Sequence, residues 1–121
     1  MAKIVHFEIE SNNPQESLAF YQEVFGWQVS QMGDMEYWLI KSGDEQEPGI
    51  NGAIMRSEAS KLQMVNTISV PSIEAYLDKI KQAGGMAVTP IEEVPGVGLF
   101  AYCHDPQGVK FGVMQFFHSE E

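Results

Sequence analysis

Two stretches of this 121-residue chain pass through the same succession of local signals, and that repeat limits the fold more tightly than any single motif does. KIVHFEIE, residues 3–10, alternates like a strand. SNNPQES then supplies a helix start, with Asn13 as cap, Pro14 at the first helical position and Glu16 three residues after the cap. Leu18, Tyr21 and Phe25, joined by Phe20 and Val24, make one broad apolar helix face, and Gly26 stands where a left-handed residue ends a helix. Strand-like runs follow at 27–31, 36–41 and 50–56, separated by Gly33-Asp34 and by the acidic connector SGDEQEPG. NTISV opens the second round. Ser72 caps a helix with Ile73, Tyr76, Leu77 and Ile80 on one face, Gly84-Gly85 stops it, and strands follow at 86–89, 99–104 and 109–117. Ile9 falls on Val70 and Gly26 on Gly85, offsets of 61 and 59 residues, and EYWLIK aligns with LFAYCH. The spacing predicts an α+β fold of two tandem βαβββ modules, about residues 1–58 and 64–121, joined by the short polar segment SEASKLQM.

The sharpest local signal lies in the last module. Asp105-Pro106-Gln107-Gly108 places Asp, Pro and Gly at the first, second and fourth positions that a type I turn prefers, so Leu99–His104 and Val109–Phe117 read as two strands joined by a tight loop. Alternation puts Val109, Phe111, Val113, Gln115 and Phe117 on one face of the final strand and Lys110, Gly112, Met114 and Phe116 on the other.

Charge narrows the partners. Seventeen acidic against seven basic residues give −10, a field that repels phosphate backbones and anionic membrane surfaces, so no nucleic-acid and no membrane partner is expected. The start MAKIVHFEIE lacks a basic segment followed by an apolar run, and no stretch approaches the ~20 apolar residues of a membrane span. Cys103 is the single cysteine, so no internal disulfide is possible, and the reading is a cytoplasmic protein with a buried, inert thiol. Gly96 and Gly98 in PGVG have no helix after them, which excludes a phosphate loop.

Taken together, the paired modules, the His in the first strand, PQESLAFYQEVFGWQV after it and AGG…VPGVGLFAYCHDPQGVKFGVMQ at the end resemble the glyoxalase/bleomycin resistance protein/extradiol dioxygenase superfamily, also called vicinal oxygen chelate. The resemblance covers nearly the whole chain. It implies curved mixed sheets around a cleft with the helices packed outside, and small-molecule chemistry or binding in that cleft. In enzymes of the family it implies a divalent metal held by one residue from each of four strands. Carried over, His6 matches the first position, its repeat counterpart is Thr67, the last-strand glutamate falls on Gly112, and the remaining position lies near Asn51. Thr and Gly supply neither the anionic oxygens nor the second imidazole that a dehydrated cation needs, so no metal is expected, and a divalent ion at His6 is the alternative.

By the same resemblance the face carrying Gly112, Met114 and Phe116 looks into the cleft, and the expected lining is His6, Trp38, Asn51, Thr67, Tyr102, Gly112, Met114 and Phe116. Tyr37, Phe100 and Met55 lie on the same strands, where aromatic and Met side chains suit planar apolar ligands and where ordinary core packing is the competing meaning. Gly112, in place of the family's glutamate, is expected to open volume. His6 and Glu8 share a strand face and are the candidates for catalysis, against the plainer reading of His6 as a lining residue and Glu8 as a solvated one. His104 and His118 read as surface residues. The expected function is binding of a small, partly aromatic, uncharged or cationic molecule without metal; the alternative is a metal-dependent lyase, isomerase or dioxygenase. A homodimer is expected, with Ile50 and Ile54 available for its contact.

Overall fold

The structure, a computed structural model, describes residues 2–117, and His118 lies outside them. The elements run β1 Ile4–Ser11, α1 Pro14–Phe25, β2 Gln28–Gln31, β3 Tyr37–Lys41, β4 Gly52–Arg56, β5 Met64–Ser69, α2 Ile73–Gln82, β6 Met86–Ala87, β7 Glu92–Val94, β8 Gly98–His104 and β9 Lys110–Phe116. The fold is α+β, and the βαβββ succession occurs twice, with one additional short strand in the second round. The chain divides into two compact units, one of His6–Val65 and one whose described residues are 2–5 and 66–117.

In the first unit the strands lie in the order β1, β4, β3, β2. β1 and β4 are parallel, with Phe7 opposite Gly52 and Ile9 opposite Ile54, while β3 is antiparallel to β4, with Trp38 opposite Ile54. Local chemistry sets α1: the Asn13 side chain accepts from the Glu16 N–H, and Gly26 closes the helix at φ 72°. Phe7, Leu18, Trp38, Ile40 and Ile54 form the core under the helix. Fully burying one such side chain contributes about 1.5–3 kcal/mol, so this cluster holds α1 to the sheet. Because Ile54 is 0% exposed and Ile50 packs on this core, Ile54 is not available for the dimer contact expected of it.

The apolar face of α1 is narrower than its sequence predicts. Pro14 and Leu18 are buried, but Phe20, Val24 and Phe25 are 53%, 55% and 59% exposed. Phe20 and Val24 sit about 160° and 120° round the helix from Leu18 at ~100° per residue, which turns them outward. Phe25, in the last turn, packs against Tyr21 and Trp27, and those two rings stack at 4.9 Å and 6°.

In the second unit β5 runs parallel to β9, β9 pairs antiparallel with β8, and β8 also carries β6 and β7. The unexpected β7 has a simple origin. Val88 N–H bonds to the Tyr102 carbonyl and Thr89 Oγ1 accepts from Tyr102 N–H, but Pro90 has no N–H to continue the ladder, and pairing resumes at Glu92. α2, capped by Ser72 and carrying Lys79 and Lys81 in its last turn, covers Val70, Ile73, Ala101, Cys103 and Val113. Burial pushes the Cys103 thiol above its ordinary pKa and keeps it protonated. The turn forms as expected: Gly108 N–H bonds the Asp105 carbonyl at 2.9 Å, and Asp105 Oδ1 accepts from the N–H groups of Gln107 and Val109.

Candidate functional site

Helix coverage leaves each unit's sheet with a second face. In the first unit Phe7, Trp38, Ile40 and Ile54 point to α1, so alternation sends His6, Glu8, Tyr37, Leu39, Ala53 and Met55 to the other side. There the Tyr37 hydroxyl donates to Glu8 Oε2 at 2.6 Å and lies 3.0 Å from His6 Nε2. β3 and β1 are both neighbours of β4, so this phenol has to cross two strand spacings, about 9.5 Å, to reach its partners. Fully buried Ala53, opposite both Glu8 and Leu39, is small enough to let it pass.

Glu8 is only 6% exposed, which corrects its reading as a solvated strand residue. A buried carboxylate needs hydrogen-bond donors, and the tyrosine hydroxyl is one. Burial pushes the His6 imidazole below its ordinary pKa, and the nearby Glu8 carboxylate partly offsets this. The neutral imidazole is therefore the working form at neutral pH.

That shift carries a stability consequence. With the folded-state pKa below the unfolded value of 6.5, the unfolded chain binds the proton first as pH falls through 6.5. Stability due to His6 is complete above that pH, declines below it and levels off once the folded form also protonates. Melting curves of the parent and His6→Gln should keep a constant separation at neutral and alkaline pH, and the parent should lose ground to the variant on acidification. A separation independent of pH would contradict the lowered pKa.

In the second unit Phe111, Val113, Leu99, Ala101 and Cys103 face α2. Thr67, Phe100, Tyr102, Lys110, Gly112, Met114 and Phe116 share the opposite face, with Tyr102 opposite Gly112, Phe100 opposite Met114 and Thr67 opposite Gly112. Phe100 and Tyr102 meet edge to face at 4.7 Å, and Lys110 Nζ stands 4.5 Å from the Tyr102 ring centre. Gly112 does not open volume. A Cβ there would lie 2.6 Å from Phe100 Cε1 and Cζ and 3.0 Å from Thr67 Oγ1, so the Phe100 ring occupies the space that a side chain at 112 would use. A bulky residue at 112 therefore tests packing and not a vacant pocket.

Of the expected lining residues, Thr67, Tyr102, Gly112, Met114 and Phe116 share this face, and His6 lies on the open face of the first unit. Trp38 and Asn51 do not join them. Trp38 is 8% exposed and belongs to the core under α1, because its partner Ile54 turns the same way. Asn51 is exposed beside the acidic connector, and its Oδ1 accepts from Ser42 N–H at 3.0 Å. That connector encloses a depression of about 240 Å³ lined by Ser42–Glu45, Glu47–Gly49 and Asn51. It is polar and folded on itself through Asp44 and Glu47, and contains none of the His6 chain.

A divalent metal does not fit the donors at the four positions. His6 offers a single ring nitrogen, since its Nε2 is engaged by Tyr37; Asn51 Oδ1 is engaged by Ser42, Gly112 has no donor, and Thr67 offers one neutral hydroxyl beside the Phe100 ring. Among the described residues no group of three or more His, Cys, Asp or Glu side chains could hold a metal ion. Tyr37, which the sequence offers only as a cleft-or-core aromatic, is the residue whose face and partners the structure adds. The hint was its place in EYWLIK, where the more apolar Trp38 and Ile40 claim one face and leave Tyr37 to the face of His6 and Glu8.

Comparison with known proteins agrees with this layout. The model of the Glyoxalase/Bleomycin resistance protein/Dioxygenase superfamily matches residues 3–113. "Putative glyoxylase CFP32" of Mycobacterium bovis, and the protein of that name in Mycobacterium tuberculosis, are 30% identical over 111 residues, 89% of this chain and 42% of theirs. The chain thus spans less than half of these relatives. Among solved structures, methylmalonyl-CoA epimerase from Mycobacterium tuberculosis aligns with TM-score 0.70 at 11% identity over 95% of this chain and 88% of that one. A superfamily member from Vibrio splendidus 12B01 aligns with TM-score 0.66 at 15% identity over 95% and 99%. Among the described residues no helix is long and apolar enough to cross a membrane.

Proposed function

Because the chain belongs to the glyoxalase/bleomycin resistance protein/dioxygenase superfamily, we propose that it binds a small, partly aromatic, uncharged or cationic molecule against the sheet face of His6, Tyr37 and Glu8, without a metal ion. The Tyr37 hydroxyl, held between Glu8 Oε2 and His6 Nε2, carries this reading. A hydrogen-bonded chain of that kind, part-buried and away from the helix, fixes the direction of polar groups that can orient a ligand. Leu39, 40% exposed on the same face, supplies apolar surface. Net charge of −10 opposes anions, and a cytoplasmic site of action is part of the same proposal.

A fragment screen by protein-observed NMR tests it, using neutral and cationic aromatics alongside phosphorylated metabolites. Neutral or cationic hits should shift resonances of His6, Tyr37, Leu39 and Met55. Their Kd should rise about tenfold in Tyr37→Phe, the scale of one lost hydrogen bond plus its consequences for Glu8. Hits dominated by phosphorylated compounds, or hits indifferent to Tyr37→Phe, would reject it.

A further inference from the structure

We infer that His6 is held as its Nε2–H tautomer, so that Nδ1 is the acceptor for an N–H or O–H donor on the bound molecule; this rests on the binding reading above. A tyrosine hydroxyl has one proton, and that of Tyr37 goes to Glu8 Oε2 at 2.6 Å. Toward His6 the phenol oxygen can then only accept, and Nε2 at 3.0 Å is the atom placed to donate. A neutral imidazole carries one N–H, so Nδ1 keeps its lone pair. Burial favours that neutral form. No hydrogen-bond partner for Nδ1 occurs among the described residues. No buried side-chain nitrogen or oxygen among them is left unsatisfied either, so Nδ1 reaches the surface.

The consequence is a rule of selection. A hydroxyl, amide N–H or ammonium group satisfies Nδ1, whereas a carboxylate, phosphate or ether oxygen sets lone pair against lone pair. Glu8 and Tyr37 act here as positioning residues: they choose the tautomer and leave the ligand contact to Nδ1. The selection comes from three side chains on two strands, Ile4–Ser11 and Tyr37–Lys41, and needs no net charge on the ligand.

Histidine-selective ¹⁵N NMR at mildly alkaline pH, with phenol and anisole as probes matched except for the O–H donor, tests the inference. The expected result is a non-protonated Nδ1 in the free protein, a shift of its resonance with phenol, and phenol binding about tenfold tighter than anisole. Tyr37→Phe, which keeps the ring and removes the acceptor, should admit the Nδ1–H tautomer and reduce the phenol advantage. A protonated Nδ1 in the parent would overturn the inference. So would equal perturbation by both probes with Nδ1 unmoved, which leaves the binding reading standing. Absence of any perturbation at Tyr37, Leu39 and Met55 by either probe would overturn both.

Discussion

Gly52→Ala is expected to destabilise the protein by about 3 kcal/mol, at the upper end of the usual range for overpacking. A Cβ at 52 would run into the backbone carbonyl oxygen of Phe7 and into its ring. Phe7 is directly opposite in the parallel ladder, and its ring is core, so neither atom can retreat without breaking the β1–β4 register. Gly112→Ala provides the control. There the obstruction is the far end of the half-buried Phe100 side chain, which can rotate, and a cost of roughly 1 kcal/mol is expected. Denaturant melts of the two variants at equal m-value measure the difference. Equal stabilities would contradict the placement of Gly52 under Phe7.

The second large effect belongs to Ile73→Ala. Ile73 is 0% exposed at the start of α2, where its side chain joins Val70, Ala101, Cys103 and Val113. Alanine is the better helix former by a few tenths of a kcal/mol, whereas truncating a buried isoleucine costs ~2–5 kcal/mol, so packing decides the sign. A loss near 3 kcal/mol corresponds to a Tm lower by roughly 10–15 °C in a domain of 121 residues. The backbone N–H of Ile73, which bonds Gln115 Oε1, is retained in the variant, so the loss reports the side chain. A Tm within about 3 °C of the parent would show that α2 is not held by this contact.

Much of this fold was legible because the responsible forces are local. Asn13-Pro14, Ser72, Gly26 and Asp105-Pro106-Gln107-Gly108 act within a few residues of themselves, and each produced the cap or turn its chemistry specifies. The two faces of β9 were legible as well, since Phe111 and Val113 are apolar enough to claim the helix side.

What stayed hidden depends on residues distant in sequence. Period-2 alternation says that Tyr37 and Trp38 face opposite ways, but only the pairing of Trp38 with Ile54 decides which of them goes to the core. Gly112 looked like vacant space because the ring that fills it comes from Phe100, on a different strand. The apolar run in α1 overstated burial, since Phe20 and Val24 are apolar on sides of the helix that the sheet does not reach, and Phe25, in the last turn, packs against Tyr21 and Trp27 and stays exposed. Glu8 looked solvated because a sequence does not display the tyrosine that donates to it.

The most direct test of metal-free binding is metal stoichiometry of the untagged protein after dialysis against Zn, Ni, Mn or Fe(II), with melting temperature followed in parallel. A cation bound only by the folded state would raise stability by RT ln(1 + [L]/Kd). With His6 Nε2 engaged by Tyr37 and with Thr67 and Gly112 at the other positions, the predicted result is a substoichiometric metal content and a Tm unchanged by any of the four ions. One metal ion retained per chain, with a raised Tm and loss of both in His6→Gln, would contradict it.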